Sequence, residues 1–281
     1  MDPEVILVLL VLLTSAPAAI VAGHAVRPWI PDIASARAME RLSWGLLWRP
    51  LLPAVAIGCA MVGWAIAEPV PADEPVTWIA VVAALPFALV WCRAITRAAW
   101  AWRPRGAPLA ATVGLLRPTI LLSPVLHDLL DADALTAVRA HERAHAVHRD
   151  PLRIWLAQLA TDLQWPSPSA PSRLRNWRRA LEMARDEEVC QQGTDGLALA
   201  AGILDVARLM EGASGAAAAL IDDERSLEER IQRLLAPAPD DREPPRLVRA
   251  HILVLACLAA ALVSGVEFGD PIVAALLHAL A

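Results

Sequence analysis

Four long blocks without Asp, Glu, Lys or Arg are the features that most restrict how this chain can fold. They cover residues 5–26, 50–67, 75–92 and 250–266. Each is close to the roughly 17–25 residues that a helix needs to cross the hydrocarbon core of a bilayer. Buried helices of a soluble protein are the alternative. The number of blocks argues against it, as does a hydrophobic content of 57% against roughly 45–50% for a soluble domain. The sequence therefore predicts four transmembrane helices.

The first block is interpreted as a retained span and not as a cleaved signal peptide. The stretch "TSAPAA" has the small residues of a signal-peptidase site. The preceding "MDPE" is acidic, however, where a secretory signal carries positive charge.

Charges beside the blocks predict the orientation of the chain. The connection "EPVPADEP" has three acids and no base, whereas the third block is followed by Arg93, Arg97, Arg103 and Arg105. By the positive-inside rule the N-terminus lies outside and the middle of the chain lies in the cytoplasm. The predicted organisation is three spans in 1–93, a cytoplasmic domain over 94–248, and a fourth span with a short external tail in 249–281 of a multi-pass cell-membrane protein.

The predicted cytoplasmic domain reads as mostly helical with a small β element. The run Thr119–Leu122 is β-prone and lies between prolines. Asp131 is positioned to cap a helix that extends to about His148. Further helices are predicted over 124–130, over 150–164 with Asp150 as N-cap, over 173–191, over 196–210, and after a capping box at Ser226 and Glu229. The expected fold class is a mainly α membrane protein.

The chemistry of the domain is concentrated in "HERAH", an HExxH motif at His141–His145. Residues four apart share one face of a helix, so His141 and His145 can reach the same cation. Neutral imidazole suits zinc, and Glu142 beside the first ligand can act as a general base toward water. The motif by itself is weak, because short patterns of this kind also occur by chance. Its position in a helix with start and stop signals strengthens the prediction of a zinc site.

Two histidines leave a catalytic zinc ion short of the three protein ligands that are usual. Glu182 lies on the helix predicted over 173–191, and Asp186 is four residues further along the same face. One carboxylate can bind the metal while the other accepts the outward N–H of a ligating histidine and fixes its tautomer. The alternative is that Glu182, Asp186, Glu187 and Glu188 form a solvated acidic face. Beside an HExxH motif, we favour the metal site.

Three stretches resemble membrane metallopeptidases of the BlaR/MecR and HtpX-like groups. The stretch "GLLRPTILLSPVLHDLLDADALTAVRAHERAH" is similar to the segment that leads into their zinc helix. "HAVHRDPL" resembles the BlaR/MecR continuation after HExxH, and "LEMARD" resembles the downstream E-x-x-x-D element. The similarity extends over about 114–190.

The resemblance implies a gluzincin-like catalytic fold between spans 3 and 4, on the cytoplasmic side. It makes His141, His145 and Glu182 the zinc ligands, Glu142 the general base, and Asp186 the carboxylate that orients a ligand. The chain has no tyrosine, so His148 and Arg185 are the candidate donors to a developing oxyanion. BlaR/MecR receptors carry a penicillin-binding sensor after the last span. Only "EFGDPIVAALLHALA" follows here, so we expect no β-lactam sensor.

These features predict an integral-membrane zinc endopeptidase that cuts a cytoplasmic or membrane-proximal protein. The resemblance implies a BlaI-like transcriptional repressor as substrate, within a signalling pathway, and the lipid bilayer as the second partner. With a net charge of −5, the chain lacks the excess of basic residues that is typical of nucleic-acid-binding proteins. The sequence contains no CxxC pair, so a cysteine zinc site is not indicated. Two alternatives stay open: an HtpX-like quality-control protease, and a non-catalytic zinc-binding membrane interaction module.

Overall fold

The computed structural model describes residues 35–52, 55–56, 59–60, 78–101, 109–165, 167–213, 217–236, 259–260 and 263. In these residues the helices and strands are, in chain order, α1 (Ala36–Trp48), α2 (Trp78–Ala101), β1 (Ala110–Val113), β2 (Thr119–Leu122), α3 (Val125–Leu129), α4 (Ala132–Val147), α5 (Asp150–Leu163), α6 (Ala170–Gln191), α7 (Gly196–Ala213) and α8 (Ala217–Leu235). A 3-10 turn, Arg49–Leu51, follows α1. The prediction of a mainly helical domain with a small β element is confirmed.

The two strands form an antiparallel hairpin. Strand β2 has the predicted bounds, and Val113 pairs with Thr119 at the closed end. The turn requires glycine at 114, because the backbone there has a φ of +95° and a Cβ would lie 2.7 Å from the carbonyl oxygen of Arg117. The hairpin packs against α4 through apolar residues that include Ala110 and Leu122. It therefore lies beside the helix that carries the HExxH motif.

Helix α4 begins as predicted. Asp131 is the N-cap, and its Oδ1 accepts a hydrogen bond of 2.7 Å from the backbone N–H of Ala134. Glycine at 202 lets α7 lie close to this helix, since a Cβ there would be 2.7 Å from Val138 Cγ2 and 3.2 Å from the Ala134 carbonyl oxygen. The buried side of α4 is thus held between the hairpin and α7.

The junction between α4 and α5 differs from the prediction. The N-cap of α5 is Arg149, in the left-handed conformation (φ 53°, ψ 42°), and Asp150 is already helical. The prediction of Asp150 as a cap was wrong because the turn at Arg149 directs its carboxylate back toward His145. The Asp150 carboxylate there contacts His145 and accepts two hydrogen bonds from Arg185. Asp150 is fully buried as a result.

Helix α6 packs against α1 and α5 through one apolar cluster. It begins at Ala170, three residues before the predicted start, with Pro171 in its first turn. Trp177 is fully buried, and Leu47 of α1 packs in the same cluster. The other buried members of the cluster are Ala157, Ala160, Leu174 and Leu181. Helix α1 therefore belongs to the same core as α6, the helix that carries the acidic residues.

The capping box predicted at Ser226 and Glu229 was also wrong. Helix α8 already begins at Ala217, so both residues lie inside it. Capping boxes stabilise helix ends, and the Ser-to-Glu spacing carries no such meaning within a helix.

The predicted spans relate to the described residues in different ways. The block 5–26 lies outside them, and 50–67 and 250–266 lie largely outside them. Most of the block 75–92 is helical and belongs to α2. Among the residues that the structure describes, no helix has the length and apolar character required to cross a membrane.

Candidate metal centre

The two histidines of the motif lie one turn apart on the buried side of α4. Each is 7% exposed, and their Nε2 atoms are 3.0 Å apart. Two nitrogens this close, with room for only one proton between them, compete for a proton or share a cation. The spacing predicted from the sequence is therefore realised in the structure.

Glu182 of α6 completes a triangle of donor atoms with these histidines. Its Oε2 lies 3.4 Å from His141 Nε2 and 3.6 Å from His145 Nε2. Ligands at zinc bond lengths in a tetrahedral site lie roughly 3.4 Å from one another. The three atoms thus have the spacing and the N, N, O chemistry of a divalent-cation site, and this group fits a metal. Their assignment as ligands stays a prediction.

A carboxylate faces the outward nitrogen of each histidine. His145 Nδ1 is 2.9 Å from Asp150 Oδ2, in a buried hydrogen bond. His141 Nδ1 is also 2.9 Å from Asp186 Oδ1, but its N–H is not aligned for a hydrogen bond, so this contact is an approach of opposite charges. Such partners keep the proton on Nδ1 and leave the Nε2 lone pair for a metal.

Arginines anchor both of these carboxylates. Arg185 donates to Asp150 from Nε (2.6 Å) and Nη2 (3.1 Å). Arg230 of α8 donates to Asp186 from Nε (2.7 Å) and Nη2 (2.9 Å). Paired bonds of this kind fix the plane of a carboxylate as well as its position. The structure therefore restrains the two acids, and Arg230 also reaches the donor triangle itself, with its Nη1 3.5 Å from Glu182 Oε2.

The charges of the group shift several pKa values strongly. Burial by itself lowers the pKa of His145, but hydrogen bonds to Asp150 and Glu182 outweigh it and raise that pKa to about 10. Burial raises the pKa of Glu182, whereas hydrogen bonds from the two histidines lower it to well below its usual range. The ionised carboxylates therefore favour a positive charge, either a proton or a cation, at the two imidazoles.

Glu142 faces the hairpin and contacts Thr112 of β1. The Thr112 hydroxyl oxygen is 2.8 Å from Glu142 Oε2 and 2.7 Å from the Glu142 carbonyl oxygen. Because the hydroxyl has one proton, it donates to one of these oxygens at a time. Thr112 thus contacts both the backbone carbonyl and the carboxylate of the predicted base.

Both candidate oxyanion donors are paired with Glu188. Arg185 is buried, and its remaining bond runs from Nη1 to Glu188 Oε2 (2.9 Å), so it is not available to a substrate. His148 Nε2 is 2.9 Å from Glu188 Oε1. Asp186 and Glu188 are 3% and 8% exposed, so the alternative of a solvated acidic face does not describe this side of α6.

The structure thus brings together four of the predicted site residues, His141, His145, Glu182 and Asp186, and it places the carboxylate of the fifth, Glu142, against Thr112. Sequence reasoning missed Asp150, Thr112 and Arg230. The first was predicted to be a helix cap, and the other two lie on separate elements with no motif around them. The "HRDP" stretch directly after the motif was the available signal for Asp150.

Comparison with protein families identifies the segment that contains this group. Residues 107–234 match the family model described as BlaR1 peptidase M56. Comparisons with curated proteins and with solved structures gave no match. The matched segment includes the hairpin and every residue of the donor triangle, whereas α1 and α2 precede it.

Proposed function

We propose that this chain is a zinc-dependent endopeptidase, and the match of residues 107–234 to the family model described as BlaR1 peptidase M56 supports this proposal. The single observation that supports this best is the triangle of His141 Nε2, His145 Nε2 and Glu182 Oε2, with sides of 3.0 to 3.6 Å. The next residue after the first histidine is Glu142, a carboxylate that none of the described arginines pairs with directly. A metal site with an adjacent base is the arrangement that metal-dependent hydrolysis of a peptide bond uses.

The roles of the residues follow from their positions. A zinc ion, when bound, polarises the scissile carbonyl and makes water more acidic. Glu142 accepts the proton from the attacking water and passes it to the leaving amine, while Thr112 restricts its carboxylate. Asp150 and Asp186 hold the histidine rings in orientation. About a third of the Glu182 side chain is exposed, so substrate and water reach the site from this side.

We further propose a multi-pass cell-membrane protein with an outside N-terminus and a cytoplasmic site. The uncharged blocks and the arginines beside them support this topology. The substrate class that we propose is a cytoplasmic or membrane-proximal protein, with a BlaI-like repressor as the signalling case. The support for it is the resemblance of "HAVHRDPL" to BlaR/MecR sequences.

Zinc stoichiometry of the full chain, purified in detergent, tests the metal assignment. We expect near one zinc per chain in the wild type, and a large loss of zinc in His145→Ala and Glu182→Ala. Glu228→Ala is the matched control, because Glu228 is an exposed glutamate of α8 that lies outside the donor triangle. A folded wild type without zinc contradicts the proposal. Zinc retained in Glu182→Ala alone places the third ligand elsewhere.

Proteolysis of a dye-labelled unfolded protein, such as casein, separates the peptidase from a non-catalytic zinc module. Glu142→Gln keeps the size of the side chain and removes the base. General acid–base groups contribute about 10²–10⁴-fold, so we expect a loss of that order with zinc content unchanged. Equal cleavage by the wild type and Glu142→Gln contradicts the role of Glu142, and no cleavage by the zinc-loaded wild type favours the non-catalytic module or a narrow substrate range.

A further inference from the structure

We propose that α1, which lies outside the family-matched segment, positions a zinc ligand through the buried chain Glu40–Arg153–Asp150–His145. This inference rests on the proposed function, because it concerns the same metal site. It assigns to Glu40 a role in metal binding although this residue belongs to the connection between the first two predicted spans. Glu40 is a positioning residue, since it acts through two other side chains.

The chain is continuous from α1 to the donor triangle. Arg153 of α5 donates from Nη2 to Glu40 Oε1 and from Nη1 to Asp150 Oδ1, the latter at 3.1 Å. Asp150 Oδ2 in turn lies 2.9 Å from His145 Nδ1. Charges alternate from Glu40 through Arg153 to Asp150, so each of these three groups stabilises the ionised state of the next.

The position of Glu40 is defined by surroundings that exclude water. The residue is 7% exposed, and its Oε1 also accepts a 3.0 Å hydrogen bond from Trp177 Nε1. The guanidinium of Arg153 lies 5.1 Å from the ring centroid of Trp44 and 5.7 Å from that of Trp177. Aromatic faces attract a cation and limit its movement. Glu40 and Arg153 are therefore held in one arrangement.

Docking of α1 alone does not explain this buried pair. Leu47 and the tryptophans of α1 already supply an apolar contact with α6. A buried ion pair contributes little net stability compared with apolar side chains of the same volume, because both charges lose their hydration. What the pair does add is a fixed direction for Arg153, and Arg153 contacts the carboxylate that orients His145.

The balance of charge around Asp150 gives the second reason. Asp150 receives bonds from two cations, Arg185 and Arg153. Arg185 is balanced by Glu188, and Arg153 is balanced by Glu40. Without the Glu40 charge, the two arginines are balanced by Asp150 and Glu188 alone, so this group of side chains has no net negative charge left. Losing that net charge weakens Asp150 as an acceptor for His145 and reduces the attraction of the group for a divalent cation.

The test compares zinc affinity in Glu40→Gln and Ser35→Ala, using full-length protein and competition with a chromophoric chelator. Glu40→Gln keeps the shape of the side chain and removes its charge. Ser35→Ala removes the N-cap of α1, whose side chain accepts a 3.2 Å bond from Ala38 N, and leaves the buried chain intact. Partners of metal-binding histidines change affinity by about 10–100-fold. One contact further away, we expect a loss of about 3–10-fold in Glu40→Gln and none in Ser35→Ala.

Two further measurements separate positioning from stability. The visible absorption of the Co²⁺-substituted protein reports ligand geometry, and we expect it to change in Glu40→Gln while Ser35→Ala matches the wild type. In the background of Arg153→Met, Glu40→Gln should have no further effect on zinc affinity, since the path is already broken. If Glu40→Gln fails to fold, Arg153→Lys replaces it in the test. Lysine keeps the positive charge but cannot bridge both acids, so we expect Arg153→Lys to weaken zinc binding.

Each result decides one question. Unchanged affinity and an unchanged Co²⁺ spectrum in Glu40→Gln overturn the inference, as do equal losses in Glu40→Gln and Ser35→Ala. A folded wild type without zinc instead overturns the proposed function, and a wild type that binds zinc keeps the two questions separate.

Discussion

Thr112 approaches Glu142 from the hairpin, and its hydroxyl is the part of β1 that touches the predicted base. Replacing it with valine keeps the branched shape and removes the donor. We expect Thr112→Val to lower kcat about tenfold, a fraction of the 10²–10⁴-fold that a general base contributes. KM and zinc content should stay at wild-type values, because the donor triangle is untouched.

Thr112→Ser is the control for that experiment, since it restores the hydroxyl. Its kcat should be close to that of the wild type. If Thr112→Val cleaves at the wild-type rate, Glu142 does not depend on Thr112. If zinc content falls as well, the hairpin supports the metal site and not the base alone.

The raised pKa of His145 predicts opposite pH trends with and without metal. Its folded-state pKa is about 10, against roughly 6.5 in an unfolded chain. In the metal-free protein, charged His145 therefore stabilises the fold fully below pH 6.5, and this stabilisation is lost as the pH rises toward 10. Zinc requires the neutral ring, so its binding releases protons and strengthens over the same interval.

Melting temperatures of metal-free and zinc-loaded protein between pH 6 and 9 measure this. The metal-free Tm should fall with rising pH, and the gap to the zinc-loaded Tm should widen. His145→Gln removes the titrating group, so the metal-free Tm of this variant should depend less on pH than that of the wild type. A metal-free Tm that rises over this interval means that His145 is neutral in the fold.

Asp150 shows which property of a single residue could not be predicted from the sequence, namely its partners in the folded protein. An Asp-Pro pair after a helix satisfies the rule for a cap, and the rule is local. The partners that decided its role, His145 and Arg185, are 5 and 35 positions away. Spacing within a helix predicted the pair His141 and His145, but pairing between helices is set by packing.

Among the elements, the contact between α4 and α7 depends on the missing side chain at Gly202. A Cβ there would lie 2.7 Å from Val138 Cγ2 and 3.2 Å from the Ala134 carbonyl oxygen. Overpacking of a core costs typically 1–3 kcal/mol, so we expect Gly202→Ala to lower the free energy of unfolding by about 2 kcal/mol. Urea denaturation measures the change.

Gly45→Ala is its matched control. Gly45 lies in α1, and a methyl group added there would have no atom within 4 Å beyond its own stretch of helix, while alanine favours helix over glycine by about 0.5–1 kcal/mol. It should be neutral or stabilising. Combining Gly202→Ala with Val138→Ala should recover part of the loss by opening space. Equal stability of Gly202→Ala and the wild type means that the two helices can separate without cost.

Elements with strong local signals were predictable, and those without them were not. Strand β2 between prolines and α4 behind Asp131 have the predicted positions. Strand β1 has the sequence "AATV", whose alanines carry little β preference, and it depends on pairing with β2. Helix α1 lies in a connection between two predicted spans, and its role depends on contacts with α5 and α6.

At the scale of the whole molecule, α1 and α2, which precede the matched segment, are joined to α5 by ion pairs. Helix α2 contributes Arg93, whose Nη1 donates to Asp162 Oδ1 at 3.3 Å, and Arg97, whose Nε lies 3.2 Å from the same oxygen. Asp162 is 2% exposed. Two of the arginines that predict the orientation of the third block, Arg93 and Arg97, thus also form ion pairs with α5. The boundary predicted at residues 93 and 94 falls inside α2, which continues to Ala101.

The uneven exposure of the donor triangle affects how a bound metal would exchange. Both histidines are enclosed, whereas about a third of the Glu182 side chain is in contact with solvent. A metal ion would therefore enter and leave at the carboxylate corner, and the breaking of the Glu182 bond would be the first event of its release. Because a peptide would occupy this same opening, a bound substrate would also block the exit of the metal ion. Metal loss would therefore be slowest when the protein is saturated with substrate.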